Sequence, residues 1–154
     1  MFLYNILLAL LWAMMTGGIS LINLLVGFFV GYLILGSIHG SSGTSSYFTK
    51  VPQTIRFILY FILELLISSV RVAYDVVTPT YYMKPGIIAI PMDAKTDIEI
   101  TMLANLITLT PGTLSLDVSF DRKTLYIHSM FVSDPEKVRR ETKDMERRLL
   151  AVMR

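Results

Sequence analysis

Apolar positions run almost unbroken from residue 1 to residue 38, pausing only at "TGGIS" (16–20). They return as a striped pattern over 55–77, and then give way to short alternating and helical periods. A single helix over the first run would measure ~57 Å at 1.5 Å per residue, against a hydrocarbon core of ~30 Å. The run must turn back. Gly17 and Gly18 mark the place, since adjacent glycines permit a tight reversal and are costly inside a helix. The pattern predicts a hairpin of two helices, about 2–16 and 20–38. Each is close to the lower limit for crossing a bilayer, so local thinning or tight packing against neighbours is expected. In the second helix Asn23, Gly27 and Gly31 fall at i, i+4 and i+8, a stripe that suits close helix packing in lipid.

The segment 55–77, "IRFILYFILELLISSVRVAYDVV", carries Arg56, Tyr60, Glu64, Ser68, Arg71 and Asp75 within an arc of about 120° on an otherwise apolar helix. Such a third, amphipathic membrane helix has two placements. It lies in the membrane surface with its stripe towards water, or it spans with the stripe towards partner proteins. The positive-inside bias of the preceding connection leans towards a flat or steeply tilted helix, and both placements remain open. Glu64 is the acid at membrane depth. Two roles are open to it: a proton or cation relay, or an ion pair with Arg71 two turns along or with a partner's cation. Pro79 closes the segment. "HGSSGTSSYFT" (39–49) reads as a flexible connection, with His39 as a solvated loop residue.

After residue 78 the periods shorten. "GIIAIPMD" (86–93) predicts a strand. Thr96 followed by Glu99 is a capping box for a helix over 97–109 that is apolar on most of its surface. Pro111 and Gly112 form a structural turn, after which period two appears. Leu114, Leu116, Val118 and Phe120 are expected on one side, with Thr113, Ser115, Asp117 and Ser119 on the other. "DRK" (121–123) turns the chain into "TLYIHSMFV", with Leu125, Ile127 and Phe131 facing in and Tyr126 with His128 opposite. Asp134, Pro135 and Glu136 open a last helix. Its apolar seam is Val138, Met145, Leu149 and Val152, with "RR" and "ERR" as a solvated face. The expected architecture is therefore a membrane α-helical half (1–78) followed by a small α+β domain (79–154) of order β-α-β-β-α. At about 75 residues that domain has little core of its own and is expected to lean on other proteins or the membrane.

Composition sharpens this division. The chain has 154 residues, is 53% hydrophobic and has a mean hydropathy of +0.58, while residues 1–49 contain no Asp, Glu, Lys or Arg. "MFLYNILLAL" has no basic side chain, so it is not expected to be a cleaved signal peptide. After Val77 there are 11 basic and 10 acidic residues, interspersed, which suggests no nucleic-acid face. The absence of cysteine excludes disulfides, thiolate metal sites and cysteine nucleophiles. No phosphate loop, nucleophile elbow or metal-ligand spacing is present. Ser115, Asp117 and His128 are ordinary strand residues rather than a triad, and Asp117 with Asp121 is a surface or turn pair. No catalytic, cofactor-binding or metal-ligating residue is expected.

"SSVRVAYDVVTP", "KPGIIAIPMD", "LANLITLTPGTLSLDVS" and "LYIHSMFVSDPE" occur in an order and spacing that resemble the E subunit of the Mrp-type multisubunit Na+/H+ antiporter. The resemblance covers essentially the whole chain and is strongest over 64–135. It departs at Met130 to Val132, where an acidic residue is expected. It implies an accessory, non-enzymatic subunit of a multi-pass complex in the bacterial inner membrane, with a cytoplasmic C-terminal domain. Its implied partners are the other antiporter subunits and membrane lipid, and Na+ and H+ are the ions the complex carries. The implied role is assembly, stability or shaping of the ion pathway; the alternative is a membrane-anchored cytoplasmic adaptor without a transport role. Under either, the corner at Pro111 and Gly112 holds a surface in place.

Overall fold

A computed structural model describes residues 1–39, 46–79 and 83–154, without the side chains of His39 and Ser46. The elements are α1 (Phe2–Met15), α2 (Leu21–His39), α3 (Ser46–Val77), β1 (Gly86–Pro91), α4 (Asp97–Leu109), β2 (Thr113–Val118), β3 (Thr124–Ser129) and α5 (Pro135–Met153). They form two compact units, Met1–Pro52 and Gln53–Arg154, which divide within α3. This is a boundary of packing, at another place than the division after residue 78 expected from the sequence. By length and composition, helices covering Leu21–Ile38 and Tyr47–Val77 are long and apolar enough to cross a membrane, and Phe2–Met15 is shorter.

In the first unit the chain reverses where expected. Gly17 has φ +93°, a left-handed backbone that L side chains rarely adopt. The Gly18 N–H reaches back to the Ala13 carbonyl at 3.1 Å. Asn23 braces the turn, its Nδ2 donating to the Gly18 carbonyl at 2.9 Å. Further along, α1 and α2 touch at backbone range. A Cβ on Gly27 would lie 2.9 Å from both Cα and O of Ala9, and one on Gly31 would lie 2.3 Å from Asn5 Oδ1 and 3.1 Å from Leu8 Cβ. A backbone obstruction cannot swing aside, whereas the Asn5 amide can. Gly27→Ala is therefore expected to loosen the hairpin more than Gly31→Ala, by about 1–3 kcal/mol. Thermal unfolding of both variants in mild detergent checks this, and equal midpoints would rule it out.

The third helix differs from expectation at its start. It begins at Ser46 rather than near 55, and Pro52 lies inside it. A proline removes one N–H from the ladder and leaves the carbonyl four residues earlier without its donor. Here that carbonyl belongs to Phe48, and it accepts a bond from the Tyr32 hydroxyl at 3.4 Å. Tyr47 and Phe48 pack against Tyr32, and Tyr47 also packs against Phe2, so part of the expected flexible connection is helix held by aromatic contacts. His39, expected in a loop, is the last residue of α2. Its side chain and residues 40–45 lie outside the described residues.

In the second unit, β3 is central in an antiparallel sheet of order β1-β3-β2. Ile88, Ile90, Leu125 and Ile127 from the sheet meet Leu103 and Ile107 of α4 and Leu149 of α5. Each such side chain contributes about 1.5–3 kcal/mol of burial. Phe57 and Phe61 of α3 pack on the same core. The domain leans on its own preceding helix.

One strand reading is corrected. Leu114 and Leu116 are 46% and 47% exposed, while the Ser115 hydroxyl faces α4 and donates to the Ala104 carbonyl at 3.0 Å. The register shifts between Ser115 and Asp117, a bulge after which Val118 packs on the core. An extra residue in one strand reverses the parity of everything beyond it. Phe120, also expected inside, is fully exposed past the end of β2.

Candidate functional site

The helix-to-strand corner is built from hydroxyls whose protons are already committed. A helix leaves its last carbonyls without intrahelical donors. Thr110 Oγ1 donates to the Leu106 carbonyl at 2.9 Å, and Thr113 Oγ1 reaches the carbonyls of Ile107 at 2.6 Å and Thr110 at 2.9 Å. Gly112 has φ +87°, and its carbonyl accepts the Met130 N–H at 2.8 Å. A Cβ at this glycine would stand 3.4 Å from Val72 Cγ2 of α3 and 3.5 Å from the Phe131 ring. The corner closes α4, starts β2 and abuts α3.

Between the corner and α3 lies a cavity of about 70 Å³, lined by Tyr60, Glu64, Ser68 and Arg71 on one side and by residues 110–113 and Glu141 and Thr142 on the other. Tyr60, Glu64, Ser68 and Arg71 of the polar stripe of α3 therefore face the α+β domain of their own chain. Ser68 and Asp75 are buried, Glu64 is half-buried, and Arg56 and Arg71 are exposed. Arg148 of α5 sits over the Tyr60 ring, 4.4 Å from its centroid. The Thr142 hydroxyl, like those of Thr110 and Thr113, donates to a carbonyl of its own backbone. The lining thus combines acceptors, hydroxyl lone pairs and the carboxylates of Glu64 and Glu141, with the guanidinium of Arg71 as donor.

Glu64 and Arg71 thus share one cleft, and neither forms an ion pair among the described residues. Gly27 and Gly31 lie at the α1–α2 contact, with Asn23 at the turn. Ser115 and His128 stand on opposite faces of the sheet: Ser115 bonds to α4, and His128 is paired in register with Ile87 and Leu114 on the outer face. Among the described residues no group of three or more His, Cys, Asp or Glu is arranged to hold a metal.

Two buried polar residues escape a reading by pattern. Glu146, within the "ERR" run expected to be solvated, is 1% exposed. Its Oε1 accepts the N–H groups of Asp93 and Ala94 at 2.6 and 2.8 Å, and its Oε2 accepts Lys143 Nζ at 2.9 Å. Its signal is weak, since position 146 adjoins the seam residue Met145. Asn5 is wholly buried in the hairpin, its Nδ2 2.5 Å from the Tyr47 hydroxyl. A lone amide in an apolar helix is the signal there.

Glu99 completes the capping box and does more. The Arg154 guanidinium donates to it at 3.0 Å, and the N–H groups of Lys95 and Thr96 donate at 2.8 and 3.2 Å. Together these hold its carboxyl well below the usual 4.5, at about 2. A depressed carboxylate stabilises the fold fully above its unfolded value, and that contribution is lost as pH falls through the folded value. Between pH 5 and 2 the thermal midpoint of the native chain is expected to fall more steeply than that of Glu99→Gln. Parallel curves would refute this.

Two helices long and apolar enough for a bilayer, joined to a small α+β unit, fit the class of membrane-associated proteins. Comparison with known proteins narrows the class. Residues 5–152 match the family described as "Na+/H+ ion antiporter subunit". The chain is 36% identical to the E subunit of the Na+/H+ antiporter of Alkalihalophilus pseudofirmus over 151 residues, which cover 97% of this chain and 96% of that protein. It is 38% identical to the corresponding protein of Bacillus subtilis, covering 88% and 85%. Among solved structures, a chain of the Mrp complex from Dietzia sp. DQ12-45-1b aligns with TM-score 0.53 and 30% identity, over 66% of this chain and 96% of that one. A chain of the membrane-bound sulfane sulfur reductase, an archaeal respiratory membrane complex, aligns with TM-score 0.58 and 26% identity, over 97% and 96%. The chain belongs to the E subunit family of Na+/H+ antiporters.

Proposed function

We propose that this chain is an accessory, non-catalytic subunit of a multisubunit Na+/H+ antiporter in the bacterial cell membrane. Its partners are the other antiporter subunits and membrane lipid, and Na+ and H+ are the ions that the complex moves. Its helical region, residues 1–78, sits at the membrane, and its α+β domain, residues 79–154, is cytoplasmic. It supports assembly and stability or shapes the neighbouring pathway. The observation that carries this reading is the placement of Glu64. The acid in the apolar part of α3 lines a cleft against the chain's own domain, alongside hydroxyls bonded to backbone. A conducting route needs a titrating group in a continuous path, and a structural brace needs only its hydrogen bonds.

The test compares Glu64→Gln with Glu64→Ala in the assembled complex. Gln keeps shape and polarity without the titrating proton. It is expected to leave antiport unchanged, while Ala lowers the amount of complex recovered. Loss of antiport in a fully assembled Gln complex would make Glu64 part of the ion path and overturn the accessory role. Recovery of the native chain as a stable lone monomer would count against the complex itself. An adaptor without a transport role, the alternative reading, predicts normal sodium tolerance at alkaline pH when the chain is deleted.

A further inference from the structure

We infer that α3 from Gln53 onward is a membrane-surface helix, its outer apolar face bedded in the headgroup and acyl boundary of the bilayer and its polar stripe roofed by the α+β domain. Leu59, Leu63, Leu66 and Val70 fall within an arc of about 60° at 100° per residue, and each is more than half exposed. On the opposite side, side chains of the helix meet the domain at points from one end to the other: Phe57 and Phe61 on the core, Tyr60 under Arg148, and Val72 beside Gly112.

Length decides between crossing and lying flat. Phe57 to Val72 spans ~22 Å of helix, most of a ~30 Å hydrocarbon core. If α3 crossed the bilayer, the domain that meets it would be drawn into hydrocarbon. With it would go Asp144, Arg147 and Arg148 of α5, which lie on the same side as Tyr60. Charges in hydrocarbon are tolerated only when paired in a protein interior or a water-filled cavity, and Arg147 is 78% exposed. A helix parallel to the surface keeps α5 in water and the leucine face in an apolar medium. Charge agrees. Arg56, exposed, flanks the leucine face, and Arg71 is also exposed, while Glu64 is half-buried and Asp75 is buried, so the exposed charge of this stretch of α3 is cationic and suits anionic headgroups.

The inference rests on the membrane placement in the reading above and not on the accessory role. The native chain has no cysteine, so single substitutions Leu59→Cys, Leu63→Cys, Leu66→Cys and Val70→Cys each take one nitroxide label. Ile55 and Val77, on the same face, replace any position that disturbs assembly. The labelled complex is reconstituted in vesicles of phosphatidylethanolamine with a minority of phosphatidylglycerol. Collision with oxygen against collision with a nickel chelate gives each label's depth. The expected result is one shallow depth, about 5–10 Å below the headgroups, at all four sites. A spanning helix would instead change depth by about 16 Å between positions 59 and 70, and that overturns the inference. Labels reached by neither collider would mean that a protein partner covers the face, and labels reached mainly by the nickel chelate would mean water does; either also overturns it. A labelled chain recovered without bilayer would overturn the membrane placement as well.

Discussion

Replacing Gly112 by valine is expected to destabilise the second unit by about 3 kcal/mol and to lower the yield of assembled complex. At φ +87° an L residue meets its own carbonyl, which costs roughly 1–2 kcal/mol, and a β-branched one is a stronger outlier. Valine also adds two methyl groups where a lone Cβ would already stand 3.4 Å from Val72 and 3.5 Å from Phe131. Gly112→Ala separates the two causes, because it carries the backbone cost with ordinary packing contacts. Its midpoint of thermal unfolding in detergent should fall between those of the native and valine chains. A valine variant that unfolds and assembles like the native protein would show that the corner is not a fixed point of the domain.

The second large effect belongs to Glu146. Truncation to alanine leaves the N–H groups of Asp93 and Ala94 without an acceptor and Lys143 with only the exposed Asp93 carboxylate as its ion-pair partner. Stranding buried donors in this way costs about 3–4 kcal/mol. Glutamine is expected to lose far less. Both N–H groups bond to the same oxygen, Oε1, which a glutamine carbonyl can replace, so only the Lys143 contact is given up. Denaturant titration of the two variants reads the difference. Equal losses would mean that the charge, and not the acceptor for residues 93 and 94, is what matters.

What was legible in the sequence is local. The capping box at Thr96 and Glu99, the Asp134 and Pro135 start of the last helix and the glycine reversal at residues 17 and 18 are short-range rules, and each is seen in the structure. The stripe from Arg56 to Asp75 was also visible, but periodicity reports that a face exists and not what covers it. Its cover, the corner at 110–113 and α5, lies many residues away along the chain. The start of α3 at Ser46, ahead of Pro52, was missed for a related reason. The penalty for an interior proline assumes a stranded carbonyl, and here Tyr32 supplies a donor from another helix. Glu146 hid in a charged run because its partners, the backbone of residues 93 and 94, carry no side-chain signature. Of the candidate site, the residues of the α3 stripe and the corner could be named beforehand, but that they line one cleft could not.

The bulge in β2 has a consequence for how relatives are compared. Before it, odd-numbered residues such as Ser115 turn towards α4; after it, the even-numbered Val118 does. The strand thus changes sides midway, so the count of residues between Ser115 and Val118 matters more than their identity. A relative with one residue fewer between the two would need no bulge, since plain alternation would already seat both the Ser115 and the Val118 equivalents inward. An ungapped alignment would set that relative's core residue against Asp117, although the two sheets present the same surfaces.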